Sequence, residues 1–197
     1  MADEHEPVRE ARRTALRQIA AQVLATGSRR DLTVLRISDE AGISVDAVRR
    51  SAGSLDRLVW EIVARHVNIV LERLHTEAPD GMASADRWAA LARTYVAVVG
   101  EYAAEHRTTI AYRHHLDERQ HGDARILQRY VLQTFIDALR AAAPSCATGR
   151  IGPLALSLLA MLNAQAAWFC PGAGMSRDGY ADMAARIILA EALRPAD

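Results

Sequence analysis

The chain has 197 residues, half of them hydrophobic, and its 24 basic residues, all arginine, balance 24 carboxylates to a formal charge of zero. That length suits one domain or two small ones sharing a core, and the neutral total excludes a protein that coats nucleic acid by bulk charge. Cys146 and Cys170 form neither a disulfide framework nor a zinc spacing, which fits a reduced cytoplasmic protein.

The first ten residues, MADEHEPVRE, are acidic and lack the apolar stretch of a signal peptide. From Val8 to Arg36 there are seven arginines (9, 12, 13, 17, 29, 30 and 36) against Glu10 and Asp31, so the N-terminal region is locally basic. Leu16, Ile19, Ala20, Val23 and Leu24 make a helical stripe that Gly27 ends. The next stretch, TVLRISDEAGISVDAVRRSAGSLDRL, runs from Thr33 to Leu58. Thr33 is a helix cap, because its hydroxyl accepts an orphan backbone N–H. Val34 and Ile37 give that short helix an apolar edge, and Ala41-Gly42 ends it in a tight turn. Ser44 caps the following helix, Val48 anchors it inward, and Gly53-Ser54 repeats the stop-and-cap signal. Two short helices joined by a Gly-containing turn form a helix-turn-helix, the supersecondary unit that reads DNA.

Strand signals are nearly absent, and the pattern predicts an all-α fold of about nine helices. A long helix covers 54–76, with apolar positions at Leu58, Ile62, Val63, Val67, Ile69, Val70 and Leu74. After Pro79-Asp80-Gly81, a helix is expected over 84–105, then a shorter one over 107–116. Gly122 is read as the break before a helix over 123–143. The segment 151–170, IGPLALSLLAMLNAQAAWFC, has the length of a membrane span. Pro153, Ser157, Asn163 and Gln165 fit hydrocarbon poorly, and no aromatic belt flanks both ends, so a helix buried on most sides is the expectation. A last helix starts at Ser176 and reaches Leu193.

Catalysis has no foothold: there is no glycine-rich phosphate loop and no nucleophile elbow, and neither enzyme activity nor a cofactor is expected. His114, Glu118 and His121 share one helical face by spacing and could in principle hold a metal. Without a cysteine or a second His pair beside them, they read as polar lining of a pocket or surface instead. A third reading, a helical metal-dependent enzyme, would need metal at His114 and His121. Tyr95, Tyr102, Tyr112, Trp168 and Phe169 are individually core residues; as a set with His114 they suggest a cavity for a partly apolar ligand. Leu154, Leu158, Leu162, Ala166 and Ile187 add more apolar surface than one small subunit needs to bury, so a two-fold homodimer through the last two helices is expected.

The stretch TVLRISDEAGIS, the helix before it and the six or so after it resemble the TetR family of transcriptional repressors. The segment AAWFCPGAGMSRDGYADMAARIIL is similar to one common in a branch of that family controlling lipid, steroid or acyl-CoA catabolism. The resemblance implies an all-helical dimer with an N-terminal DNA-binding domain, here 1–53, and a ligand-binding and dimerisation domain, here 54–197. It implies release from a palindromic operator by a small-molecule effector. The DNA-contacting positions are then Thr33, Ser44, Val45, Asp46, Ala47, Arg49, Arg50 and Ser51.

The reading helix departs from the family pattern. Arg49 stands where a Tyr is usual, Ala52 where a Phe is usual, and Leu55 where a phosphate-touching Lys is usual. Leu55 is placed to refill the space that Ala52 vacates. Arg49 and Arg50 offer guanidinium forks for guanine or phosphate, and Asp46 offers an acceptor for cytosine. The expectation is a cytoplasmic, ligand-responsive homodimeric repressor. The rival is a dimeric ligand-binding or interaction protein that keeps the fold and no longer reads DNA.

Overall fold

The computed structural model describes residues 5–112, 116–168 and 174–195. Among them are nine α-helices, one 3-10 turn at Arg29–Asp31, and no strand. The helices are α1 (His5–Thr26), α2 (Val34–Ala41), α3 (Val45–Ala52), α4 (Leu55–Glu77), α5 (Ser84–Glu101), α6 (Ala103–Tyr112), α7 (Glu118–Ala142), α8 (Thr148–Trp168) and α9 (Arg177–Ala192). None is long and apolar enough to cross a membrane among the described residues.

The chain forms two compact units. The first comprises Met1–His66 and Ala104–Arg125, and the second Val67–Ala103 and Ile126–Asp197. The first unit thus extends past residue 53 to take in the front of α4, α6 and the start of α7. In it α1, α2 and α3 pack on one another. Leu16, Val23 and Leu24 of α1 meet Ile37 of α2, Val48 of α3 and Leu58, Ile62 and Val63 of α4 in one core. Residues at i, i+3 and i+4 share a helix face, so the stripes in α1 and α4 turn inward.

In the second unit α9 packs against both α5 and α8. Trp88 of α5 and Phe135 of α7 are fully buried there. Phe135 meets Trp88 edge to face at 6.0 Å and Tyr95 at 6.0 Å, the arrangement favoured by the ring quadrupoles. The Trp88 indole donates to the Ala185 carbonyl at 2.9 Å, tying α5 to α9.

Several expected boundaries differ: α6 begins at Ala103 where 107 was expected, and α8 at Thr148 where 151 was expected. The helix expected over 84–105 stops at Glu101, because Tyr102 leaves helical geometry at φ −110°, ψ 45°. Gly100, two residues before that break, is its one local signal. Gly122, by contrast, breaks nothing: α7 begins at Glu118 and runs through it. Asp117 caps that start by accepting from the Gln120 N–H at 2.8 Å. The ~1 kcal/mol that a helical Gly costs relative to Ala is outweighed by the inward stripe of Val131, Phe135, Ala138 and Leu139.

Candidate nucleic-acid interface

The helix-turn-helix is built as its residue types dictate. The Thr33 hydroxyl accepts from the Arg36 N–H at 3.1 Å and starts α2. Gly42 adopts φ 64°, ψ 30° and closes α2 with its N–H on the Ser38 and Asp39 carbonyls. Left-handed backbone of this kind favours glycine. Ser38 donates its hydroxyl to the Ile43 carbonyl and so locks the turn from inside. The Ser44 hydroxyl then accepts from the Ala47 N–H at 3.2 Å and starts α3.

Val48 and Ala52 hold α3 down, both buried in the core of the first unit. Leu55 is half-buried and packs against that core, consistent with its filling room beside Ala52. The opposite face of α3 carries Asp46, Arg49 and Arg50, all exposed, with Val45, Ala47 and Ser51 half-buried at its edges. Asp46 and Arg49 lie 3.8 Å apart, and their side chains are 75% and 66% exposed. Arg50 has no ion pair among the described residues.

The basic N-terminal region is largely neutralised within the first unit. Glu61 on α4 gathers three arginines: Arg13 in a two-point pair, Arg17 at 3.7 Å and Arg57 at 3.1 Å. Arg17 also reaches Glu10 at 2.7 Å, and this bond holds the Glu10 carboxyl below its usual range. Arg29 pairs with Asp56 at 2.6 Å, and Arg36 with Glu40 at 3.0 Å. Arg12 and Arg30 remain exposed without an ion pair among the described residues. The cations open to a polyanion are therefore fewer than the sequence count of arginines. Glu61 and Arg17 are the least exposed of this cluster, at 17% and 11%. Replacing Glu61 with Ala strips Arg13 and Arg57 of a carboxylate and leaves Arg17 only Glu10. The expected cost is about 2 kcal/mol, measured by urea unfolding, below the range for breaking a fully buried pair because water still reaches the cluster.

The first unit also holds a buried polar pair that sequence patterns did not reveal. His66 of α4 and His106 of α6 are 2% and 4% exposed, with Nε2 of His66 and Nδ1 of His106 3.1 Å apart. Nδ1 of His66 has no hydrogen-bond partner among the described residues. Burial, then the charge of His106, pushes the His66 pKa down to about 3.

The residues expected around a ligand are distributed over both units. Tyr95 is buried in the second unit, and its hydroxyl donates to Asn163 Oδ1 at 2.7 Å. Desolvation holds the Tyr95 pKa well above its usual value. Tyr102 is half-buried against the same core. Tyr112 belongs to the first unit, with its hydroxyl directed at the Gly27 carbonyl of the α1 end, 3.3 Å away. His114, Phe169 and the side chain of Trp168 lie outside the described residues. Glu118 and His121 both lie on α7. The described part of the second unit also carries an open groove of about 440 Å³, lined by Leu71, His75, Arg87, Tyr130 and Thr134 among others.

Of the residues expected at a subunit interface, Leu158 and Leu162 are fully buried in the core of their own chain, on the stripe with Ile151 and Ala155. The face of α8 left open carries Pro153, Leu156, Ser157, Ala160 and Ala164. Leu154 is half-buried beside it, Ile187 on α9 is exposed, and the Ala166 side chain lies outside the described residues.

Comparison with known proteins agrees with this architecture. Residues 81–192 match the model of a tetracyclin repressor-like C-terminal domain. No curated protein matches the chain in sequence. Among solved structures, a regulatory protein of the tetR family from Rhodococcus RHA1 is similar with a TM-score of 0.84 and 17% identity, over 92% of this chain and 96% of that one. The ketosteroid transcriptional regulator KstR2 of Mycobacterium tuberculosis gives 0.80 and 15%, over 93% and 96%. AibR, solved in complex with isovaleryl coenzyme A and operator DNA, gives 0.76 and 15%, over 89% and 97%. At such identities the likeness is one of fold.

Proposed function

Because this chain belongs to the TetR family of transcriptional regulators, we propose that it is a cytoplasmic repressor that binds a palindromic operator as a homodimer and leaves it when a small molecule binds. The observation that carries the DNA-binding reading is the face of α3. Asp46, Arg49 and Arg50 stand exposed on a helix capped by Ser44 and anchored by the buried Val48 and Ala52. A helix held down on one side and armed with guanidinium groups on the other suits entry into a major groove. Thr33 and Ser44 start the two helices, and Val45, Ala47 and Ser51 border the reading face.

For dimerisation, the open face of α8 with Leu154, Leu156 and Ala160, together with Ile187 on α9, is the surface that suits a second copy. Its small and apolar side chains allow close helix approach without desolvating charge. A two-fold axis there would present two reading helices to a palindrome. For the effector, the second unit supplies an apolar core with a polar anchor in Tyr95 and Asn163, flanked by Tyr102. That chemistry suits a partly apolar ligand with a carbonyl or hydroxyl. The complex of AibR with isovaleryl coenzyme A and operator DNA supports an acyl-CoA-like effector. The effector acts by differential affinity for the DNA-competent and DNA-incompetent states.

One observation favours a second reading, a ligand-binding protein whose head no longer reads DNA. Leu55 is turned partly into the core at the place where the resemblance expects a phosphate-touching cation. The two readings separate on replacing Arg49 and Arg50 together with Ala. The repressor reading expects affinity for a duplex selected by the wild-type protein to fall about tenfold or more per arginine. A wild-type protein that selects no duplex would leave only the second reading, and unchanged affinity for a selected duplex would remove α3 from the DNA contact.

A further inference from the structure

The two charged side chains at the head of α3 are placed as a unit. Asp46 and Arg49 are three residues apart, one helical turn, and their charged ends converge to 3.8 Å on the outward face. That distance exceeds a hydrogen bond, so the carboxylate and the guanidinium both keep their capacity for an outside partner. Side chains 75% and 66% exposed gain little stability from such a pair. Their neighbours are otherwise engaged: the Ser44 hydroxyl caps the helix, and Val48 is buried.

Resting on the DNA-binding reading above, the geometry points to Asp46 and Arg49 reading the two bases of a single G·C pair together. In the major groove a G·C pair presents two acceptors on guanine, N7 and O6, followed by the N4 amino donor of cytosine. The Arg49 fork satisfies the two acceptors, and the adjacent Asp46 carboxylate accepts from the amino group. An A·T pair presents acceptor, donor, acceptor and then the thymine methyl. There the guanidinium meets the adenine amino donor, and the carboxylate faces the thymine carbonyl. The order of charges on α3 therefore selects one kind of base pair. It also gives a carboxylate that would otherwise repel phosphates a role on the reading face.

The test starts with wild-type protein and duplexes selected from a random pool. Every single base-pair substitution of the selected half-site is then measured by anisotropy for wild type, Asp46→Ala and Arg49→Ala. Thermal melting of each variant checks the fold, which neither exposed side chain supports. The expected result is a wild-type preference for G·C at one position that both variants lose there, by about tenfold or more. Relaxation at two different positions would overturn the pairing. So would Asp46→Ala tightening all duplexes alike, or Arg49→Ala weakening all alike with a shallower salt dependence. A wild-type protein that selects no duplex would overturn the DNA-binding reading itself. Selective wild-type binding without the shared loss overturns only the pairing.

Discussion

Lowering the pH from 7 to 5 is expected to cost the protein about 2 kcal/mol of stability through His66 alone, and about 4 kcal/mol near pH 3.5. His66 is 2% exposed, and burial, then the neighbouring His106, holds its folded pKa near 3 against an ordinary 6.5. Between those values the unfolded chain binds a proton that the folded chain refuses. Unfolding therefore takes up protons, and stability rises with pH across the window. The contribution is whole above pH 6.5 and is lost as pH falls toward 3. Urea unfolding of wild type and His66→Gln at pH 7 and pH 5 measures it. The glutamine keeps a polar group in the site and cannot titrate, so its loss between the two pH values should be smaller by about 2 kcal/mol. Equal losses in both proteins would show that His66 is not the group responsible.

The largest single-residue loss of stability is expected at Phe135. Its ring is fully buried in the second unit, between the edges or faces of Trp88 and Tyr95. Truncation to Ala removes a large transfer term and opens a cavity that rigid aromatic neighbours fill poorly, so Phe135→Ala should cost about 3–5 kcal/mol. The effect should reach the Tyr95–Asn163 bond, because Tyr95 rests on the Phe135 ring. Urea unfolding measures the cost. Near-ultraviolet circular dichroism reports whether Trp88 and Tyr95 lose their fixed packing. A change below 1 kcal/mol would mean that the core collapses onto the gap.

Much of the first unit was legible because its signals are local. Thr33, Gly42, Ser44 and Gly53 each dictate a cap or a stop through their own side chain or its absence, and each does so in the structure. The inward positions Val48, Leu58 and Ile62 follow from helical period alone. What was not legible depends on tertiary context. Gly100 and Gly122 offer the same local signal, yet α5 ends beside the first and α7 runs through the second. Sequence apolarity marked Leu158 and Leu162 without saying which apolar face of α8 turns into its own chain. The arginine count overstated the open positive charge, because Glu61 and Asp56 reach their partners from α4, far along the sequence. The His66–His106 pair joins helices 40 residues apart. Its one signal was a histidine four positions after Ile62 on an otherwise apolar stripe.

Caps and glycine turns fix two short helices, buried Val48 and Ala52 fix the rotation of α3, and that rotation leaves Asp46, Arg49 and Arg50 facing out. Arg13, Arg17 and Arg29 are neutralised within the unit, while Arg12, Arg30 and Arg50 stand exposed without an ion pair among the described residues. Binding by so few open cations must draw much of its selectivity from base contacts.

The measurement that tests DNA recognition most directly is fluorescence anisotropy of the wild-type protein with the duplex upstream of its own gene, beside a duplex selected from a random pool and a scrambled control. Each is titrated at two salt concentrations. If each head of a dimer neutralises about three phosphates, the logarithm of affinity should fall with that of salt at a slope of about −5. The expected result is that slope together with preference for at least one specific duplex over the scrambled one. Equal, weak binding to all three would contradict it and leave a TetR-family protein that senses a ligand without reading DNA.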